Sequence, residues 1–217
     1  MKVLHIIASP RGTSSNTLKV SQEFLNSLIA TQDDLTVETL DLYREGLPAV
    51  AGENIESRYQ LMVGHPIDPD HEDSWKFITV LIDHFLEADV ILISSPMWNF
   101  SIPYALKYYI DCLVQPGYTF NYNAGGVYGM AGGRQLVVVT SRGNDYSVGS
   151  PVRAFDFQEP YLRTVFGFIG FKDEDISFVN AQPMDVDPHR REVALERAGR
   201  EARMLGLRLS TESAVGV

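Results

Sequence analysis

Two rhythms alternate along this chain. Residues 3–8, 90–93 and 136–139 are short apolar runs with few polar interruptions, as expected of parallel strands covered on both faces. Ile176-Ser177-Phe178-Val179 is a shorter run of the same kind. Thr36-Val37-Glu38-Thr39-Leu40-Asp41 alternates instead, which suits a half-exposed strand next to the sheet edge. Between these runs the apolar spacing lengthens to that of a helix. Leu18, Phe24, Leu25, Leu28 and Ile29 form one such set, Trp75, Ile78, Leu81, Ile82 and Phe85 another, and Ile102, Leu106, Ile110 and Leu113 a third. Further helices are expected over roughly residues 159–168 and 189–209, the last with mixed Arg and Glu giving a solvated outer face. Residues 43–73, with Pro48, Pro66 and Pro69, read as irregular. Tyr118-Thr119-Phe120-Asn121-Tyr122 and the glycines from Gly125 to Gly133 read as a small projecting hairpin.

Five strands alternating with helices predict an α/β fold, a doubly wound parallel five-stranded sheet in the order 2-1-3-4-5 with helices on both faces. In that order the loops after the first, third and fourth strands lie side by side, beyond the carboxyl ends of the strands, where ligands bind in such sheets. The chain is expected to form a single domain over residues 1–217, a length that fits one generous core.

The first of those loops is Ser9-Pro10-Arg11-Gly12-Thr13-Ser14-Ser15-Asn16-Thr17. It holds six Ser, Thr or Asn residues where one N-cap would need a single one. At the positive end of a helix such a set suits a phosphate, with Arg11 as a charged donor and Ser9, Ser15, Asn16 and Thr17 as polar ones. The loop lacks the Gly-Lys-Ser/Thr ending of a P-loop, and no Gly-x-Gly-x-x-Gly is present in the chain. The second loop, Pro96-Met97-Trp98-Asn99-Phe100-Ser101-Ile102-Pro103, carries two bulky aromatics and a Met out of a buried strand. Ser101 is expected to cap the helix that follows, with Pro103 in its first turn. The third loop opens with Ser141, Arg142 and Gly143 and continues to Tyr146. Phosphate donors, aromatics and a polar edge together match a charged tail, a flat ring and that ring's heteroatoms.

Composition narrows the partners. A net charge of −10 argues against a nucleic-acid backbone as ligand. No run approaches the ~18 apolar residues of a membrane span, and a single cysteine, Cys112, excludes an internal disulfide, so a cytoplasmic protein is expected. Cys112 reads as a buried, inert thiol, and His5 as a satisfied core histidine. His65, Asp68, Asp70, His71, Glu72 and Asp73 cluster in the irregular stretch, but their spacing fits no common zinc or calcium loop, and no metal is expected.

The residues 96–103, continued by Leu106-Lys107, Gly117-Tyr118-Thr119-Phe120-Asn121-Tyr122 and Ser141-Arg142-Gly143, resemble the FMN-dependent NADH-azoreductase family of flavodoxin-like quinone reductases. The likeness runs from the first strand to about Gly143. The first loop is shorter than in azoreductases and closer to that of NADPH-dependent FMN reductases, and Asn144 stands where the family often has a second glycine. The resemblance implies bound FMN, held by Ser9, Arg11, Ser15, Asn16 and Thr17 at the phosphate, by Pro96, Met97, Trp98, Asn99 and Phe100 along the ring, and by Ser141, Arg142 and Gly143 at its polar edge. It implies backbone N–H groups of residues 97–100 near the ring, and Phe120 and Tyr146 near the substrate. NADH or NADPH would bind transiently, give hydride to the flavin and leave, so that a quinone or azo compound reacts by a ping-pong mechanism. No side chain is singled out as acid or base. A homodimer with its active sites at the interface is also implied. The alternatives within the fold are a reductase of free flavin, nitroaromatics or chromate, a flavodoxin-type electron carrier, and an interaction protein without flavin.

Overall fold

The computed structural model describes the backbone of residues 1–215 and side chains through Thr211. Its centre is a five-stranded parallel sheet formed by β1 (Lys2–Ile7), β2 (Thr36–Asp41), β3 (Val90–Pro96), β6 (Gln135–Ser141) and β7 (Ile176–Ala181), in the order β2-β1-β3-β6-β7. The remaining strands, β4 (Phe120–Asn123) and β5 (Gly126–Gly129), pair antiparallel as a separate hairpin. β2 is itself an edge strand, bonded only to β1, which explains why none of its residues is fully buried.

The period-two alternation of the central strands feeds two cores. Leu4, Ile6, Ile91, Ile93, Leu136 and Val138 point to one face and pack under α3 (Glu72–Glu87), α4 (Tyr104–Leu113) and α5 (Gln158–Phe168). Val3, Leu92, Val137 and Val139 point to the other, under α1 (Asn16–Ile29) and α6 (Pro188–Val215). α6 keeps the solvated outer face that its mixed charges predict. Ala198, Ala202, Leu205 and Leu209 form a buried stripe against α1, and the Arg and Glu residues occupy the remaining face.

Three expectations need correction. Residues 43–73 are not irregular throughout: they contain α2 (Glu53–Met62) and a short 3-10 turn (Pro69–His71), whose polar sequence gave little apolar periodicity to read. Ser101 does not cap α4; its N–H and C=O are spent in a reciprocal pair with Trp98, and Pro103 takes the cap position. α3 begins at Glu72, three residues before its first buried residue, so apolar spacing alone could not mark its start. Among the described residues no helix is long and apolar enough to cross a membrane.

His5 and Cys112 sit as expected. The His5 imidazole is 2.8 Å from the Ser94 hydroxyl, and burial lowers its pKa to about 4. The Cys112 thiol donates to the Pro48 carbonyl, and burial, helped by Asp111, pushes it up to about 12, so it is no nucleophile at neutral pH.

Candidate active site

Parallel pairing places the ends of β1, β3 and β6 side by side, and their loops enclose a cleft of about 300 Å³. Ser9, Arg11, Ser15 and Asn16 line it from the first loop, Pro96, Met97 and Trp98 from the second, and Ser141 and Gly143 from the third. Met184, Asp185 and Arg191 complete the wall. These last three were not foreseen. Their signal lay in topology, because the loop after β7 must emerge beside the loop after β6.

The phosphate-like end is built on the start of α1. Ser15 is the N-cap, its hydroxyl oxygen accepting from the Leu18 N–H at 3.3 Å and from the Ser9 hydroxyl at 2.9 Å. The Ser15 carbonyl takes the Lys19 N–H. The Asn16 and Thr17 amides therefore have no carbonyl of the helix itself to bond, as at any helix start. Ser15 accepts two hydrogen bonds, which leaves its own proton free to donate. Thr17, read as a wall residue, is buried behind it, its hydroxyl 2.8 Å from that of Ser141. It braces two loops against each other rather than lining the cleft.

The second loop is a tight reverse turn. Trp98 N–H bonds to Ser101 C=O and Ser101 N–H to Trp98 C=O, both at 2.9 Å. The two central residues have positive φ, 47° at Asn99 and 70° at Phe100, as a type I′ turn demands. Asn tolerates this conformation, whereas for Phe it costs on the order of 1–2 kcal/mol. Such strain in a non-glycine residue is characteristic of functional loops. The Phe100 ring turns away from the cleft and packs on Phe155, ring centres 5.7 Å apart. Asn99 helps form an adjoining groove of about 580 Å³ with Tyr104, Lys107 and Tyr161, and Trp98 lines both this groove and the cleft. The N–H groups of Met97 and Trp98 are already engaged by Ser141 and Ser101 carbonyls. Of the expected backbone donors of this loop, only those of Asn99 and Phe100 are left for a ligand.

Arg142 departs furthest from expectation. Its guanidinium is buried beneath the third loop, pairing with Asp156 at 3.0 Å and donating to Gln158 at 3.2 Å. Burial lowers its pKa, opposed by the Asp156 and Glu159 carboxylates. Its backbone is also engaged, the N–H by Ala181 and the C=O by Met184. Arg142 supports the cleft from behind and does not line it. Phe120 is buried against Phe168, ring centres 4.8 Å apart, and Tyr146 is buried with its N–H on Gln182. Neither lines the cleft or the groove.

A second cavity between α1 and α6, about 370 Å³, is walled by Lys19, Glu23, Glu196, Arg200 and Arg203. Its charges oppose one another and no strand end or free helix terminus opens into it, so it lacks the converging donors of the cleft.

The description of the family model that matches residues 1–204 is "Flavodoxin-like fold". The chain belongs to this flavodoxin-like family. Among curated relatives, an FMN-dependent NADH:quinone oxidoreductase of Nitratidesulfovibrio vulgaris (strain DP4) is 37% identical over 92% of this chain and 97% of its own length. One of the same description from Desulfotalea psychrophila is 37% identical over 93% and 94%. Among solved structures, an FMN-dependent NADH-azoreductase from Bacillus anthracis, in complex with FMN, superposes with a TM-score of 0.84 at 27% identity, covering 96% of this chain and 99% of that one. In this flavodoxin-like chain the likeness to curated relatives spans the last third as well as the motifs, further than the first 143 residues would lead one to expect.

Proposed function

We propose that this flavodoxin-like protein is an FMN-dependent NADH:quinone oxidoreductase and azoreductase, acting as one domain over residues 1–217. The observation that carries the reading is the donor set of the cleft. One end offers the Ser15 hydroxyl, the unclaimed amides at the start of α1 and the Arg11 side chain. The other offers the side chains of Met97 and Trp98 as a flat apolar wall and the Gly143 N–H, the Gly143 carbonyl being taken by Met184 and Asp185. That sequence of chemistries fits a phosphate tail followed by a flat, polar-edged ring. The names of the relatives support it.

When bound, FMN supplies two-electron transfer from a reduced nicotinamide to a quinone or azo acceptor. The chain's contribution is binding, orientation and charge. Arg11, Ser15 and Asn16 would hold the dianionic tail, with the Ser9 hydroxyl donating to Ser15 and so orienting its proton outward, against a net charge of −10 that would otherwise repel it. Thr17 keeps the first loop at a fixed distance from Ser141. Of the second loop's backbone donors, the Asn99 and Phe100 N–H groups are the ones that would be open to the ring, and the Gly143 N–H would meet its edge. The groove floored by Trp98, Tyr104 and Tyr161 is the place for planar acceptors. Trp98, Phe100, Tyr104, Phe155 and Phe157 are large apolar side chains left exposed around it, which supports a homodimer closing over the site. NADH or NADPH and the acceptor use the same opening in turn, giving ping-pong kinetics. The reading places the protein in the cytoplasm, with neither nucleic acid nor membrane as partner.

The test is steady-state NADH oxidation by the FMN-loaded protein at several fixed concentrations of benzoquinone or an azo dye. Parallel double-reciprocal lines are expected. Intersecting lines would reject the shared opening, and no turnover with a fully loaded protein would reject the enzyme.

A further inference from the structure

The strained turn at residues 98–101 is fastened from behind by groups that never reach the cleft. Gln158 is fully buried, and its side-chain N–H donates to the Pro96 carbonyl at 3.1 Å, with the Ser95 carbonyl at 3.5 Å. Its side-chain oxygen accepts from the Arg142 guanidinium. Next to it, the Phe157 N–H donates to the Phe100 carbonyl at 3.0 Å, and Phe155 packs on the Phe100 ring. Asp156 ties this segment to both neighbours. One carboxylate oxygen accepts the Gln158 and Glu159 N–H groups, and the other pairs with Arg142. Residues 155–158 therefore hold Pro96 on one side of the turn and Phe100 within it, while Arg142, which immediately follows β6, locks residues 156–158 in place.

We infer that Arg142, Asp156 and Gln158 form a positioning clamp that sets the backbone of residues 96–100 for the flavin, rather than touching the cofactor. The inference rests on the flavin reading for its purpose, but not for its mechanics. Left to local preference, Phe100 would leave the positive-φ region, so the turn needs an external restraint. The clamp provides it from a buried region with little freedom of its own. The near-neutral charge balance of the group, Arg142 and Arg153 facing Asp156 and Glu159, suits a structural role better than an electrostatic one directed at the ring.

The chain's two tryptophans make the clamp measurable without flavin. Trp75 is buried in α3, whereas Trp98 opens the turn, so a Trp75→Phe background leaves Trp98 as the sole reporter. In that background Gln158→Met removes both side-chain bonds to the turn's base, and the bond it accepts from the Arg142 Nε, at nearly constant volume. Arg142 keeps Asp156, which avoids the unpaired buried carboxylate that Arg142→Met would create. The expected result is red-shifted Trp98 emission and stronger acrylamide quenching, with unchanged far-UV circular dichroism and cooperative urea unfolding. FMN should then bind ~10-fold more weakly, as loss of one or two buried hydrogen bonds to the turn predicts. Arg142→Lys, which keeps the charge but lacks the fork, should move both readings the same way by less. Unchanged Trp98 quenching in a folded Gln158→Met protein would overturn the clamp. Freed Trp98 with undiminished FMN affinity would overturn its positioning role. Failure of the parent protein to bind FMN would instead sink the flavin reading, and the Trp98 arm would still decide whether the clamp exists.

Discussion

Ser15→Ala separates the two duties of the first loop. In the free protein the serine oxygen caps α1 and accepts the Ser9 proton. Loss of an N-cap costs ~1 kcal/mol. Ser9, a residue only 4% exposed, then loses the acceptor of its hydroxyl, which adds ~1 kcal/mol. The apoprotein should therefore lose about 2 kcal/mol, read as a fall in Tm of roughly 4–8 °C for a chain of this size. The remaining duty belongs to the Ser15 proton. Donated to a phosphate oxygen, it is a charge-assisted bond worth ~1.5–3 kcal/mol, so FMN affinity should drop about tenfold or more. Urea melts of the apoprotein and fluorescence titrations with FMN and with riboflavin read the two duties apart. Riboflavin lacks the phosphate, so its affinity should change far less than that of FMN. An equal loss for both flavins would mean that the mutation merely loosens the loop. A destabilised apoprotein with unchanged FMN affinity would place the phosphate elsewhere.

Four further outcomes follow from the geometry. Ser15→Ala combined with Thr17→Ala should release FMN on gel filtration more readily than Trp98→Ala, because it removes a charge-assisted phosphate donor together with the Thr17–Ser141 brace behind it, against one ring contact; equal retention would contradict that ranking. Gly206→Ala would set a methyl 2.0 Å from the Ser27 hydroxyl and 3.0 Å from the Phe24 carbonyl, forcing α6 off α1, and should lower Tm by several degrees, about 1–3 kcal/mol of overpacking. Gly129→Ala would drive a methyl into the backbone of Ile169 and Gly170, 2.1–2.5 Å away, and should detach the β4–β5 hairpin, seen as faster proteolysis near residue 125. His5 binds its proton less readily folded than unfolded, with a pKa of about 4 against 6.5. Its contribution is complete above the unfolded pKa and is lost as pH falls through 6.5 towards 4, on the order of 3 kcal/mol in all. Urea melts between pH 7.5 and 4.5 should show His5→Gln losing less stability than the parent over that window; identical slopes would discount the buried neutral imidazole.

How far the sequence reached depended on what each signal records. Buried strands and amphipathic helices advertise themselves through spacing, so the sheet and both helix layers were visible in residues such as Leu92, Val138 and Ile78. α2 was invisible because only Asn54 and Ser57 among its residues are buried, and both are polar. The three loops were legible as places, since strand ends in a parallel sheet collect ligands. Side-chain directions were not. Ser, Thr and Arg look alike as donors in a sequence whether they face a cleft or a neighbouring loop. Thus Thr17 and Arg142 carry the chemistry of a wall and stand as braces, while Phe100 packs on Phe155. The I′ turn was equally hidden, because Asn99-Phe100 lacks the glycine that usually marks one. Met184, Asp185 and Arg191 carry no motif and were reachable only by asking which loop lies beside the third.

The account stands or falls on where the cofactor sits. A crystal structure of the protein grown with FMN should show the phosphate against Ser15, Asn16 and the start of α1, with the ring between residues 96–100 and 141–143. Flavin density in the α1–α6 cavity or in the groove beside Tyr104, with the three-loop cleft well ordered and empty, would contradict it.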